Sequence, residues 1–194
     1  EIRGTQIQSK LGANIDVILS TQFLSNALNH LQHDEQMTIR VQRALDKCVK
    51  KIQQSQNQDG SFAGSGWAGV LQSSFATTAL EEAKAHGANV DDQVLNRSRD
   101  FQKGNYNARN GDVKTDLGAG VILYSVSGST RASAKEARRV EEEMDKAKRQ
   151  NRLPSQAAPT AENLEKIGFG KDEALRHATA YEVYQSAKLK SQQA

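Results

Sequence analysis

The feature that most constrains this chain is a recurring order. An amphipathic helix, a loop rich in glycine and asparagine and a helix with small residues on one face return at an offset of roughly fifty residues. In the first copy Val41, Leu45, Cys48, Val49 and Ile52 trace one helical face. The stretch Gln56-Asn57-Gln58-Asp59-Gly60-Ser61-Phe62 ends that helix, because Asp-Gly supplies turn chemistry and Gly60 takes a positive φ without steric penalty. A loop through Gly64, Gly66, Trp67 and Gly69 leads to a second helix, Val70 to Ala85, with Ala76, Ala79 and Ala83 on one face and Gly87 where a C-cap belongs. The second copy runs through Val90, Val94, Leu95, Arg99 and Phe101, a loop from Gly104 to Gly111, and a helix from Thr115 to Val126. One hairpin cannot bury its apolar face alone, so units of this kind stack. The expectation is an all-α fold of repeated helical hairpins.

Around these copies the pattern continues. Residues 11–33 form a first helical unit, read as one helix or two, through Ile15, Val17, Ile18, Leu19, Phe23, Leu24, Ala27, Leu28 and Leu31. The repeat bearing the Gln-Asp-Gly loop covers 39–87, and the degenerate repeat covers 90–128. A Ser-rich turn from Ser125 to Ser129 then precedes a charged helix within 131–152, where Ser133 and Glu136 have capping-box spacing. Pro154 and Pro159 bracket a connection to terminal helices within 160–190, broken at Gly168-Phe169-Gly170. All 194 residues are read as one helical-repeat domain.

Composition narrows the function classes. Only 37% of residues are hydrophobic and 25% are charged, so wide polar helix faces are expected. The formal net charge is +3 with both signs interleaved, which argues against nucleic acid as a partner. No stretch approaches the roughly 18 apolar residues of a membrane span, so a soluble protein is expected, cytoplasmic or exported. Cys48 has no partner cysteine and reads as a small core residue.

The segment QNQDGSFAGSGW, carrying Gln56, Asp59, Gly60, Ser61, Phe62 and Trp67, resembles the Q-x-x-D-G-(S/G)-(W/F) loop of the squalene-hopene cyclase and prenyltransferase repeats. The stretches LQSSFATTALEEA and GAGVILYSVSGSTRASAKEAR likewise look like bacterial prenyltransferase-repeat proteins, such as those of planctomycetes. The second unit keeps only Phe101, Gln102, Gly104 and Tyr106 of the loop. The resemblance implies a partial or complete α/α-toroid. It implies about six hairpins for closure, whereas three or four are read here, so either further repeats of the same chain or a protein partner is expected to cover the open ends.

The chemistry of that family is not written out in full. Its cyclase branch uses D-x-D-D, in which clustered carboxylates keep one member protonated. The nearest match, Asn89-Val90-Asp91-Asp92, lacks the first aspartate and coincides with a helix start, where such residues cap. Asp91 and Asp92 are the weak catalytic candidates. Aromatic residues that could face a carbocation, Phe62, Trp67, Phe75, Phe101, Tyr106 and Tyr124, are expected instead to fill gaps between helices. Cys48 has no zinc-ligand set around it and no reactive thioester setting. His30, His33 and Asp34 lack a further spaced ligand, His86 suits a helix C-terminus, and His177 stands alone. Asn105, Asn107, Asn110 and Asp112 surround Gly111 as a calcium loop would, without the closing glutamate. No metal and no cofactor is expected. The leading expectation is a non-catalytic toroid-like scaffold or binding module for a protein or other ligand, an apolar one included; the alternative is an isoprenoid-processing enzyme of the terpenoid cyclase or prenyltransferase class.

Overall fold

The computed structural model describes residues 4–31, 33–62, 64 and 68–193, and side chains throughout these except at position 117. Eight α-helices and one isolated antiparallel bridge, Tyr106 to Val113, account for its regular structure, with no strand among the described residues. The all-α expectation holds. The helices are α1 (Gln6–Leu11), α2 (Ile15–Leu28), α3 (Glu35–Gln54), α4 (Gly69–Ala85), α5 (Asp92–Lys103), α6 (Ile122–Arg149), α7 (Ala161–Lys166) and α8 (Lys171–Gln193), with a 3-10 turn at Asp116–Gly118 before α6.

The chain divides into two compact units, one of residues 1–102 and 114–125, the other of residues 103–113 and 126–194. In the first unit α2 packs against both α3 and α4. Ends that meet fix the directions. Ala68 N–H, at the start of α4, donates to the Lys10 carbonyl (3.2 Å) in the last turn of α1, which leads into α2, and His86 Nε2 lies 3.1 Å from Asn29 Oδ1 at the far ends of α4 and α2, so α2 and α4 run parallel. Helix α4 is the most enclosed, which explains its small residues: Ala76, Ala79 and Ala83 let neighbours approach, and Leu80 fills the centre. Leu45, Val49 and Ile52 of α3, Ile18 of α2, Phe62 and Leu95 complete this core. Burying a side chain such as Leu45 contributes about 2 kcal/mol.

Helix ends follow their local chemistry. Asp34 Oδ1 accepts from Met37 N–H (2.9 Å) to start α3, and Thr160 Oγ1 accepts from Asn163 N–H (3.3 Å) to start α7. Gly87, with φ +85, ends α4: its N–H donates to Lys84 O (3.1 Å) and Ala88 N–H to Ala83 O (3.0 Å). The first helical unit read over 11–33 holds one helix, α2, and α1 lies almost wholly before it, the two separated at Gly12 (φ +109).

In the second unit α6, α7 and α8 share one core of Val140, Met144, Ala147, Leu153, Leu164 and Ala174. A smaller cluster joins Tyr106, Val126, Val183 and Ala187. Two sequence expectations are corrected here. No helix spans Thr115 to Val126, because Ala119 (φ 54) and Gly120 (φ 76) are left-handed and stop the 3-10 turn before α6 begins. The Ser-rich turn at 125–129 does not exist either: it lies within the continuous helix α6, so the charged helix begins ten residues or so earlier than its charges suggest. Hydroxyls permit this by bonding back to the helix, Thr130 Oγ1 to Val126 O (2.9 Å) and Ser133 Oγ to Ser129 O (2.6 Å), which leaves Ser133 mid-helix rather than in a capping box.

Candidate functional site: the repeat loop

The Gln-Asp-Gly loop is built inward from α3. The backbone reverses at Asn57–Ser61, where Gly60 N–H donates to Asn57 O (3.0 Å) and Asn57 N–H to Ser61 O (2.9 Å). Asp59 Oδ1 accepts from Ser61 N–H (3.0 Å), so this carboxylate shapes its own turn. Gly60 has φ +86, and a Cβ there would stand 2.2 Å from the Arg97 carbonyl oxygen. Only glycine fits both constraints.

Gln56 ties this turn to α5. Its Nε2 donates to Val94 O (2.8 Å) and Gly60 O (3.2 Å), while its Oε1 accepts from Arg97 Nε (3.1 Å) and Nη2 (2.7 Å). A primary amide has two donors and one double acceptor, and here both ends are in use. Phe62 is 1% exposed, and its N–H donates to Ser73 Oγ (2.9 Å) while its carbonyl accepts from Gln72 Nε2. The motif therefore joins the end of α3, the flank of α4 and the middle of α5. Trp67 lies outside the described residues.

Behind the loop runs a buried polar seam that sequence reading missed. Thr77 Oγ1 and Ser98 Oγ are 2.5 Å apart, and Arg99 reaches Glu81 Oε1 with Nη2 (2.6 Å) and Nε (2.9 Å). Gln72 is fully buried, and a Cβ on Gly12 would collide with its Oε1. The signal was present but quiet: polar Gln72, Ser73 and Thr77 interrupt a helix whose remaining buried positions are apolar or small. Arg97 gave no signal, since its role comes from the register of α5 beside the loop.

Several other candidate residues take part in turns, caps and an ion pair. Asp91 precedes α5, its Oδ1 accepting from Gln93 N–H (2.7 Å) and its N–H donating to Gln53 Oε1 (2.8 Å). Asp92 pairs with Lys84. Both aspartates are exposed. Asn107 Oδ1 accepts from Arg109 N–H (3.0 Å), Asn110 Oδ1 accepts from Asp112 N–H (3.1 Å) and Asn110 Nδ2 donates to Asp112 Oδ2 (2.5 Å), so these oxygens close a turn around Gly111. Asp34 is spent as a cap. No three His, Cys, Asp or Glu side chains are grouped for a metal among the described residues.

Cys48 packs against the first core. Burial pushes its thiol above the ordinary range; a hydrogen bond with Thr21 pulls the other way and the Asp16 carboxylate adds to the rise. A thiol held protonated is a poor nucleophile. No helix of the described residues is long and apolar enough to cross a membrane. Compared with protein-family profiles, curated proteins and solved structures, the chain matches none.

Proposed function

We propose that this chain is a helical-repeat scaffold or binding module of the toroid-like kind, in which the Gln-Asp-Gly loop fastens one hairpin to the next helix. The observation that carries this reading is Gln56, whose amide engages Val94, Gly60 and Arg97 together. A residue so occupied builds architecture. The same holds for Asp59 and Gly60, whose side chain and conformation serve the turn itself. The exposed setting of Asp91 and Asp92 supports the reading over acid chemistry by that pair.

Native mass spectrometry of the protein purified from its source tests this. A protein partner or a homo-oligomer is the expected result. A co-purifying isoprenoid, together with turnover of squalene or a prenyl diphosphate that Asp91→Asn/Asp92→Asn abolishes, would replace the scaffold with an isoprenoid-processing enzyme.

A further inference from the structure

The geometry points to the outer face of α3 as a docking surface for an acidic helical segment of a partner protein, an assignment independent of whether the repeats close a toroid. Arg40, Arg43, Lys47 and Lys50 are all exposed on this helix. At 100° and 1.5 Å per residue they fall within a sector of about 80° and along about 15 Å of its length. None of the four has a carboxylate partner among the described residues. Asp46, the acid on the same face, receives Gln42 Nε2 (3.1 Å).

Some cations elsewhere in the chain are paired with carboxylates. Lys84 pairs with Asp92, Arg99 with Glu81, Lys103 with Glu136 and Lys166 with Glu162. On α3 the spacings 40–43, 43–47 and 47–50 place like charges as helix neighbours, each costing a few tenths of a kcal/mol. The helix dipole rewards a cation in the last turn, which accounts for Lys50 but not for Arg40 or Arg43. Helix α3 holds five Lys and Arg against two acids, Glu35 and Asp46, so its net charge of +3 equals that of the whole chain. The stripe is a local concentration of positive potential, and it calls for an anionic complement.

Its surroundings select the kind of anion. Ile39 is 44% exposed near the N-terminal end of the stripe, about 20° beyond its Lys50 edge, offering an apolar anchor that a phosphate backbone does not use. Helix α3 carries no aromatic side chain on which a base would stack. Its opposite face, Leu45, Val49 and Ile52, is in the core, so the helix has no apolar face to sink into a bilayer. An acidic amphipathic helix fits: its carboxylates at i, i+3, i+7 and i+10 repeat the spacing of the cations, with an apolar residue to meet Ile39.

The test uses the full chain and a labelled synthetic helical peptide with four glutamates at that spacing and one terminal leucine. Fluorescence anisotropy at low salt compares it with a scrambled peptide of equal charge, with single-stranded oligothymidylate and with phosphatidylserine vesicles. The expected result is binding of the aligned peptide about tenfold tighter than the scrambled one, since several weak pairs sum only when in register. Arg43→Glu/Lys47→Glu should remove it while circular dichroism stays unchanged, and Arg138→Glu/Arg149→Glu should leave it intact. Equal binding of the scrambled peptide, equal loss in the control variant, or tighter binding of the oligonucleotide or the vesicles would overturn the assignment.

Discussion

Gln56 does two structural jobs, because one amide completes the loop and holds the neighbouring helix. Gln56→Ala leaves the Val94 and Gly60 carbonyls without their donor, and urea denaturation should show a loss of about 1–3 kcal/mol. Cys48 acts through its protonation state. Its folded pKa is raised, so the stability it contributes is present below the ordinary thiol value and is lost as pH rises through the folded value. The expected outcome is that stability falls between about pH 7 and about pH 10 by more in the parent than in Cys48→Ala, as read from urea midpoints. An equal fall in both would show that the thiol is not the titrating group responsible.

At the scale of elements, helix α6 separates what the sequence makes legible from what it does not. Hydrophobic spacing located α3 and α4 closely, and the Asp-Gly turn located the end of α3, since periodicity and turn chemistry are local. The run Ser125 to Ser133 has the composition of a turn yet is helical, because hydroxyls bonded to preceding carbonyls and burial of Val126 outweigh the intrinsic preference of serine. Arg131→Pro decides this sharply. In the middle of a continuous helix it costs about 3 kcal/mol, measurable as a lowered melting temperature, whereas a turn would tolerate it. The loop residues Gln56, Asp59, Gly60 and Phe62 were legible as a motif, but the partners that explain them, Val94, Arg97, Gln72 and Ser73, were not. Those depend on where α4 and α5 come to lie, which no short window encodes.

At the scale of the whole molecule, two cores are built from separate stretches of chain, and the degenerate repeat read over 90–128 is divided between the two units. Each core has its own large buried residues, so each unit is expected to have its own local stability. Leu45→Ala removes a fully buried side chain from the first core and should cost that unit about 2–5 kcal/mol. Hydrogen exchange followed by mass spectrometry should then show faster exchange in α2, α3 and α4, with α7 and α8 little changed. Uniform acceleration along the chain would mean that the two units unfold as one.

The central claim is that the Gln-Asp-Gly loop is a fastening between repeats, and a double-mutant cycle between Gln56 and Arg97 tests it most directly. Urea denaturation of Gln56→Ala, Arg97→Ala and the double variant should give a coupling of about 1 kcal/mol, because the two side chains share hydrogen bonds between the loop and α5. Additive effects would contradict the account, since the loop and the next helix would then be held together by something other than the motif.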